Sequence, residues 1–242
     1  MRELYWGMNI KVIPFLLMPV WALGQVRLKA SDPLIRYDLI RPGHHYSKFT
    51  AFDTAGREIS ESLAEHVTVV DTIRNQFLFV RYAPYAVGRF VIDSCWNDGH
   101  GPVRYVLVNY PVTRMETDVF RAGRADVHAN RRGVVKDTAV KMEEGYMDDT
   151  SIWEMWGYMD LRRSVKYEMN VFGSDVLAPL TYHVEYLMDD YLQGVDGGWV
   201  RCKVIQVQYG SIDWRLWIDP RTHQTVRAVM KNEKETLVET MI

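Results

Sequence analysis

Seven histidines and two cysteines are the residues of this sequence best suited to chemistry. A metal site needs several ligands on one face of an element, as in a histidine pair four residues apart on a helix. The closest pair, His44 and His45, are neighbours in the chain, and neighbours along a strand point to opposite faces. The sequence therefore predicts no metal site, and it contains no cofactor motif. The seven are His44, His45, His66, His100, His128, His183 and His223.

The two cysteines leave alternatives open. In an oxidising compartment Cys95 and Cys202 would be able to pair, closing a long loop worth about 4 kcal/mol in the entropic account of disulfides. Two buried free thiols are the other alternative. Cys95 also precedes His100 in the run Cys-Trp-Asn-Asp-Gly-His, so a thiolate–imidazole pair is conceivable. A core cysteine beside a hairpin turn is the simpler interpretation.

Adjacent carboxylates occur at Glu143-Glu144, Asp148-Asp149 and Asp189-Asp190. Glycoside hydrolysis needs two carboxyls facing each other about 5–9 Å apart, which neighbours in the chain do not provide. The sequence also has no Gly-x-Ser-x-Gly, no phosphate-binding loop and no Gly-x-Gly-x-x-Gly. These absences favour a protein that is not an enzyme. A hydrolase built on Cys95 and His100, or on Asp148-Asp149, is kept as a third hypothesis.

The distribution of charged residues does not identify a binding partner. A net charge of −2 creates no field that favours nucleic acid, which is not expected as a partner. Residues 121–141 are locally basic, but interspersed acidic side chains are typical of an ordinary exposed strand pair. The basic residues are Arg121, Arg124, Arg131, Arg132, Lys136 and Lys141, and the acidic ones nearby are Asp118, Asp126 and Asp137.

Short apolar or alternating runs separated by turn signals fill the chain after residue 40. Asp98-Gly99 supplies the positive φ that a tight hairpin needs, and Asp53–Gly56 and Asp219–Thr222 mark further turns. This spacing predicts a mainly β fold: a curved antiparallel sheet (half-barrel) with one or two short helices on its concave side. A single domain over residues 25–242 is the simplest organisation.

One segment has helical rather than strand periodicity. Ser151-Ile-Trp-Glu154 matches a capping box, with Ser151 as N-cap and Glu154 reaching back to its amide. A Met/Trp stripe at i, i+3, i+4 and i+7 then predicts a helix within Asp149–Leu161, and a weaker helix is expected around Glu58–Glu65. The stripe consists of Ile152, Met155, Trp156 and Met159.

The N-terminus has the pattern of a cleavable export signal. Arg2 and Lys11 precede an apolar run from Val12 to Leu23, and small residues follow. The run of about 12 residues is shorter than the ~20 that cross a bilayer, so no stable transmembrane segment is expected. We predict a signal peptide over residues 1–24, with Met1 or Met8 as the start, and a periplasmic or extracellular protein.

From about Tyr105 to Ile242 the chain resembles a family of exported, uncharacterised bacterial proteins related to the periplasmic lipoprotein-carrier (Lol-type) half-barrel. The most specific match is Leu216-Trp-Ile-Asp-Pro-Arg-Thr-His-Gln-Thr-Val-Arg227, a strand, a turn and a return strand. Pro42-Gly43 and Phe52-Asp-x-x-Gly56 look like the opening hairpin of that family. The resemblance implies about ten antiparallel strands curled around helices, with an apolar interior that holds acyl chains in the carriers. It carries no catalytic motif, and the basic 121–141 stretch and the tryptophan content depart from it.

Three hypotheses follow. The first is a non-enzymatic envelope protein that binds an apolar small molecule, a lipid or a lipidated envelope protein in its half-barrel. The second is a structural or interaction module with a filled core, which recruits a partner through its edge strands. The third is the unrecognised hydrolase. The ligand-binding residues expected under the first are Ile152, Met155, Trp156 and Met159 on the helix and Trp214, Leu216 and Ile218 on the sheet.

Overall fold

The computed structural model describes residues 25–86, 89–110, 114–174, 176–194 and 197–242. The predicted signal peptide and both candidate start residues lie outside these ranges. Within them, no helix has the length and apolar character needed to cross a membrane.

The described chain is mainly β-strand with one short α-helix, α1 (Ser151–Met155), which continues into a 3₁₀ turn at Trp156–Tyr158. The strands are, in chain order, β1 (Val26–Leu28), β2 (Gly43–Asp53), β3 (Glu58–Asp71), β4 (Gln76–Ala86), β5 (Arg89–Asn97), β6 (Pro102–Tyr110), β7 (Arg114–Arg121), β8 (Arg124–Arg131), β9 (Val134–Lys141), β10 (Met147–Asp148), β11 (Lys166–Gly173), β12 (Ala178–Gln193), β13 (Trp199–Tyr209), β14 (Ile212–Asp219), β15 (Gln224–Lys231) and β16 (Glu235–Met241).

All sixteen strands belong to one sheet, in the order β1-β11-β12-β13-β14-β15-β16-β2-β3-β4-β5-β6-β7-β8-β9, with β10 beside β11. Every pairing is antiparallel except those of β1 and β10 with β11. The sheet curls without closing, because β9 and β1 remain at opposite ends of this path. The predicted mainly β, antiparallel and curved fold is confirmed. The strand number exceeds the ten implied by the resemblance, partly because the basic stretch itself forms β8 and β9.

The predicted helix around Glu58–Glu65 is wrong, because these residues begin β3. The segment contains good helix formers, but it pairs with β2 except at one bulge beside Ile59. Ile59 and Leu63 are exposed on the outer face, whereas Ala64 and His66 are buried on the inner face. Tertiary pairing therefore overrides local propensity here.

The helix after Asp149 is present but short, and the predicted capping box is wrong. Thr150 is the N-cap, and no cap hydrogen bond from its side chain forms. Asp148 takes over this role, because its Oδ1 accepts hydrogen bonds from the backbone N–H groups of Thr150 (3.0 Å) and Ser151 (2.8 Å). Glu154 is thereby left to point towards the sheet, where it contacts His66.

The concave face of the sheet has two parts of different character. The first, the apolar half, comprises β11–β15, whose inward side chains form one hydrophobic cluster with α1 and the turn after it. The second, the polar half, comprises β2–β7 and β16, whose inward side chains include charged and imidazole groups. These groups are His45, His66, Arg81, Asp93, Arg114, Glu116, Asp118 and Glu239.

The two ends of the sheet approach each other across a second cluster. Phe172 of β11 is fully buried among side chains of β5–β9, and its ring lies edge-on to that of Phe120 at 5.6 Å. Tyr146 packs against the same ring of Phe120 and hydrogen-bonds the carbonyl of Arg124 at 2.9 Å. This packing fixes the curl of the sheet and encloses its concave side.

Candidate functional site

The seven residues predicted to bind an apolar ligand are packed on one another in the apolar half. Each is at most 7 % exposed, and all belong to the main hydrophobic cluster. Of the seven, Trp214 alone also lines a cavity. The stripe of α1 thus faces the sheet, as predicted, but it fills the interior there instead of leaving a space. The residues are Ile152, Met155, Trp156, Met159, Trp214, Leu216 and Ile218.

A cavity of about 600 Å³ lies beside this core, between α1 and the polar half of the sheet. One wall is aromatic and comes from α1 and β12–β14, where Trp153 packs edge-on against Trp214 at 4.3 Å and Tyr182 stacks on Tyr209 at 4.4 Å. The other wall comes from β2–β7 and β16 and carries charged and imidazole side chains. The cavity therefore presents an aromatic surface opposite a polar one.

His66 is the centre of the most connected group on the polar wall. Its Nδ1 lies 2.7 Å from Oε1 of Glu154, and its Nε2 lies 2.9 Å from Oγ of Ser47 and 3.4 Å from Oε1 of Glu239. His45 stands opposite His66 across the β2–β3 ladder, and the two rings are parallel with centroids 4.7 Å apart. This group joins α1 to β2, β3 and β16.

The charge state of the group follows from these contacts. Burial lowers the pKa of His66, but the hydrogen bonds and charges of Glu154 and Glu239 outweigh burial and raise it to about 9. Burial raises the pKa of Glu154, but the bond and charge of His66 reverse this and hold it below its usual value. Burial lowers the pKa of His45. At neutral pH His66 is thus an imidazolium between two carboxylates, beside a neutral His45.

A second polar group on the same wall is held by Asp93, which is buried. Arg81 donates from Nη2 to Oδ2 of Asp93 at 2.5 Å, and the hydroxyl of Tyr105 donates to Oδ1 at 3.0 Å. Burial, followed by the charge of Asp93, raises the pKa of Tyr105 far above its ordinary value, so this phenol is a permanent donor.

The hydrolase hypothesis receives no geometric support at Cys95. Its thiol is fully buried and hydrogen-bonded to Oδ2 of Asp148 at 3.0 Å, the same oxygen that accepts the hydroxyl of Ser151. Burial, and then the charge of Asp148, raises the pKa of Cys95 well above its ordinary value, so the thiolate is disfavoured. His100 is exposed in the turn that follows β5.

Both cysteines are free and buried in this structure. Cys95 lies on β5 next to α1, whereas Cys202 lies on β13. Burial raises the pKa of Cys202 to about 11. The thiol of Cys95 instead anchors the segment that begins α1.

Comparisons with known proteins define the fold class. No protein-family model and no curated protein matches the sequence. Among solved structures, the chain is similar to a β-barrel-like protein of a domain of unknown function, DUF1849, from Brucella abortus: the TM-score is 0.56 at 10 % identity, over 83 % of this chain and 95 % of that one. A hypothetical lipoprotein, YmcC from Escherichia coli, aligns over 81 % of this chain and 86 % of its own, at 8 % identity and a TM-score of 0.30. The first similarity shows a shared barrel-like fold.

Proposed function

We propose that the protein is a non-enzymatic envelope protein, exported by its N-terminal signal, that binds a small lipid-like molecule in the cavity beside α1. The observation that carries this proposal is the cavity itself, about 600 Å³ with an aromatic wall opposite a polar one. Ligand pockets of proteins typically measure about 300–1,000 Å³ and combine apolar walls with a few placed polar groups.

The aromatic wall is suited to the apolar part of such a ligand. Trp153, Trp214, Tyr182 and Tyr209 offer large, rigid surfaces, and burying each methylene against them contributes about 0.8 kcal/mol. Nε1 of Trp214 is buried without a hydrogen-bond acceptor in the described part of the chain. A buried donor of this kind is costly unless an acceptor reaches it, and a carbonyl or ester oxygen of a bound lipid would do so.

The polar wall is suited to the head group. Its charges are paired with one another, so an amphipathic molecule would be oriented by hydrogen bonds and not by one strong charge. The resemblance to lipoprotein carriers favours an acyl chain or a lipidated partner as the natural ligand. Of the seven residues expected from the sequence, Trp214 lines this cavity, whereas the other six side chains are packed within the apolar half.

The second candidate is an interaction module with no ligand, and the filled apolar half supports it. Strand β9 ends the sheet, and Val134 and Val135 on it are 70 % and 54 % exposed. Such an edge is able to accept a strand from a partner. The two candidate functions differ in whether the cavity binds a ligand.

Native mass spectrometry of the protein purified from its own host tests the first candidate. We expect a co-purifying molecule in the lipid mass range and saturable binding of the fluorescent apolar probe 1-N-phenylnaphthylamine. Leu237→Trp places an indole in the cavity and should weaken probe binding at least about tenfold, or 1.4 kcal/mol. Val69→Trp on the outer face of β3 is the matched control.

Absence of any bound molecule, together with probe binding that is equal in Leu237→Trp and Val69→Trp, would refute the ligand-binding proposal. Circular dichroism of both variants should match the parent protein, so that a lost fold is not mistaken for a filled cavity. Capture of a partner that depends on the edge of β9, in a protein that binds no probe, would favour the interaction module.

A further inference from the structure

The polar wall of the cavity brings two histidines and a glutamate together from three elements. His45 on β2 and His66 on β3 are register partners, and Glu154 reaches them from α1. Their potential ligand atoms all lie within 4.8 Å of one another. We propose that His45, His66 and Glu154 form a binding site for a divalent transition-metal ion of the Zn²⁺ class, with its open coordination position facing the cavity.

The donor types and distances fit such an ion. Zinc takes imidazole nitrogen and carboxylate oxygen at about 2.0–2.2 Å, so ligands of a tetrahedral ion lie roughly 3.4 Å apart. The 4.8 Å span of the three donors requires shifts on the order of 1 Å. Two imidazoles with one carboxylate favour zinc and its transition-metal neighbours over Mg²⁺ and Ca²⁺, which prefer oxygen ligands alone.

One ring must turn to complete the site. A metal lies in the plane of a coordinating imidazole, and the rings of His45 and His66 are parallel but separate. His45 is half-buried, and its ring nitrogens have no hydrogen-bond partner among the described residues, so its rotation breaks the stacking on His66 but no hydrogen bond. His66 stays fixed, because both of its nitrogens already face partners.

The surroundings of His66 already have the form of an outer coordination shell. Its Nδ1 faces Glu154 and is the nitrogen that would bind the metal. Its Nε2 faces Ser47 and, at 3.4 Å, the carboxylate of Glu239. Metal-bound histidines commonly donate their second N–H to such a carboxylate, which fixes the tautomer and strengthens the ligand.

Charge balance also favours a divalent cation. With both imidazoles neutral, Glu154 and Glu239 bring a charge of −2 into a largely buried group, and one M²⁺ ion neutralises it. The metal would take the place of the proton that now joins His66 to Glu154, and this proton would be released to solvent. The cavity supplies the entry path and space for a water or ligand at the fourth position.

Titration of the full chain with ZnCl₂, after treatment with EDTA and dialysis, tests the proposal. We expect one Zn²⁺ per chain by calorimetry, and Co²⁺ substitution should give the visible absorption of a four-coordinate site. His45→Ala should weaken Zn²⁺ binding by more than about 100-fold, and Glu239→Gln by about 10- to 100-fold. His45 makes no hydrogen bond in the described structure, so its replacement should leave the fold intact.

His44→Ala is the matched control. His44 is the neighbouring histidine on the outer face of β2, and its Nε2 contacts Glu65 at 2.7 Å. Zn²⁺ binding should be unchanged in this variant. No stoichiometric Zn²⁺ binding at micromolar concentration, or equal binding in His45→Ala and His44→Ala, would overturn the proposal. The probe assay for the cavity is done without metal, so the test of ligand binding and the test of zinc binding are able to fail independently.

Discussion

The apolar and polar halves of the concave face are built from the same kind of strand but stabilised in different ways. In the apolar half, inward side chains of β11–β15 bury the stripe of α1, and no specific geometry is demanded of them beyond close packing. In the polar half, several inward charges depend on a particular partner, as Asp93 does on Arg81 and Tyr105, whereas the carboxylate of Asp118 has none in the described chain. The apolar half therefore depends on close packing, whereas the polar half depends on individual pairs of side chains.

The largest expected effect is a loss of stability caused by a substitution in the apolar half. Trp156 is 1 % exposed at the end of α1, and Trp156→Ala should lower the free energy of unfolding by about 3–5 kcal/mol in urea titrations. Trp199, which is 73 % exposed, is the control, and Trp199→Ala should change stability by less than about 0.5 kcal/mol. Similar losses in the two variants would mean that α1 is not anchored through this side chain.

The next effect is a dependence of the free energy of unfolding on pH, and it arises in the polar half. The pKa of His66 is about 9 in the folded chain and near 6.5 when unfolded, so folding favours the protonated form. The stabilisation is complete below about pH 6.5 and is lost as the pH rises through about 9, a change on the order of 3 kcal/mol. Urea unfolding of the metal-free protein at several pH values measures it.

Glu154→Gln provides the check on that dependence. Removing this carboxylate leaves His66 with Glu239, so the raised pKa should move back towards 6.5 and the loss of stability should shift to lower pH. An NMR titration of the His66 ring reports the same change directly. A ring that titrates near 6.5 in the parent protein would contradict the imidazolium at this position.

A smaller effect of opposite sign is expected at Asp118 in the polar half. Both of its carboxylate oxygens are buried without partners in the described chain, and burial, followed by the charges of Glu116 and Asp148, raises its pKa to about 8. A raised carboxyl pKa makes folding less favourable as the pH rises above 3.8. Asp118→Asn should therefore stabilise the protein at pH 7 by about 1–3 kcal/mol.

The gain from Asp118→Asn should shrink as the pH is lowered towards 4, because the carboxyl then begins to be protonated in the unfolded chain as well as in the folded one. Thermal unfolding at pH 4 and pH 7 separates this account from a simple change in packing, which would be independent of pH. An unchanged or lower stability at pH 7 would show that Asp118 has a partner in solution.

The smallest effect on stability is expected from a substitution at the boundary between the apolar half and the polar half. Trp153 lines the cavity and meets Trp214 edge-on at 4.3 Å. Trp153→Leu keeps an apolar side chain and should cost about 0.5–1.5 kcal/mol, the value of an aromatic pair beyond its buried area. The far-ultraviolet circular dichroism should lose the exciton couplet of the pair, while probe binding in the cavity weakens.

The halves also differ in how far the sequence predicts them. Turns such as Asp98-Gly99 and the alternation along β13 and β14 are local signals, and the stripe of α1 was correctly expected to face the sheet. The polar half depends on pairs that are distant in the sequence. His45 and His66 stand at comparable distances from the Asp53–Gly56 turn, so a hairpin would have placed them side by side, but the helix expected over Glu58–Glu65 hid this relation.

The contact of Glu154 with His66 was not predicted from the sequence for a related reason. Its position three residues after Ser151 satisfies the capping-box pattern, and the pattern cannot register that Asp148 already binds the N–H groups of Thr150 and Ser151. A side chain released from its local partner becomes available to a distant one, here His66. The cavity is formed by contacts of this kind between residues that are distant in the sequence, so residue spacing alone did not predict it.

The position of β16 in the sheet has a consequence for how the chain reaches its native state. The last strand pairs with the first long one, so that Met241 stands opposite Ser47, and this ladder is the seam between the two blocks of consecutive strands. Each block is able to form from local hairpins, but the seam forms only when residues 235–241 are present. Such distant pairing makes folding slow. A chain that lacks residues 235–242 would lack this ladder, so its two blocks would each gain an open edge and would meet only through side-chain packing.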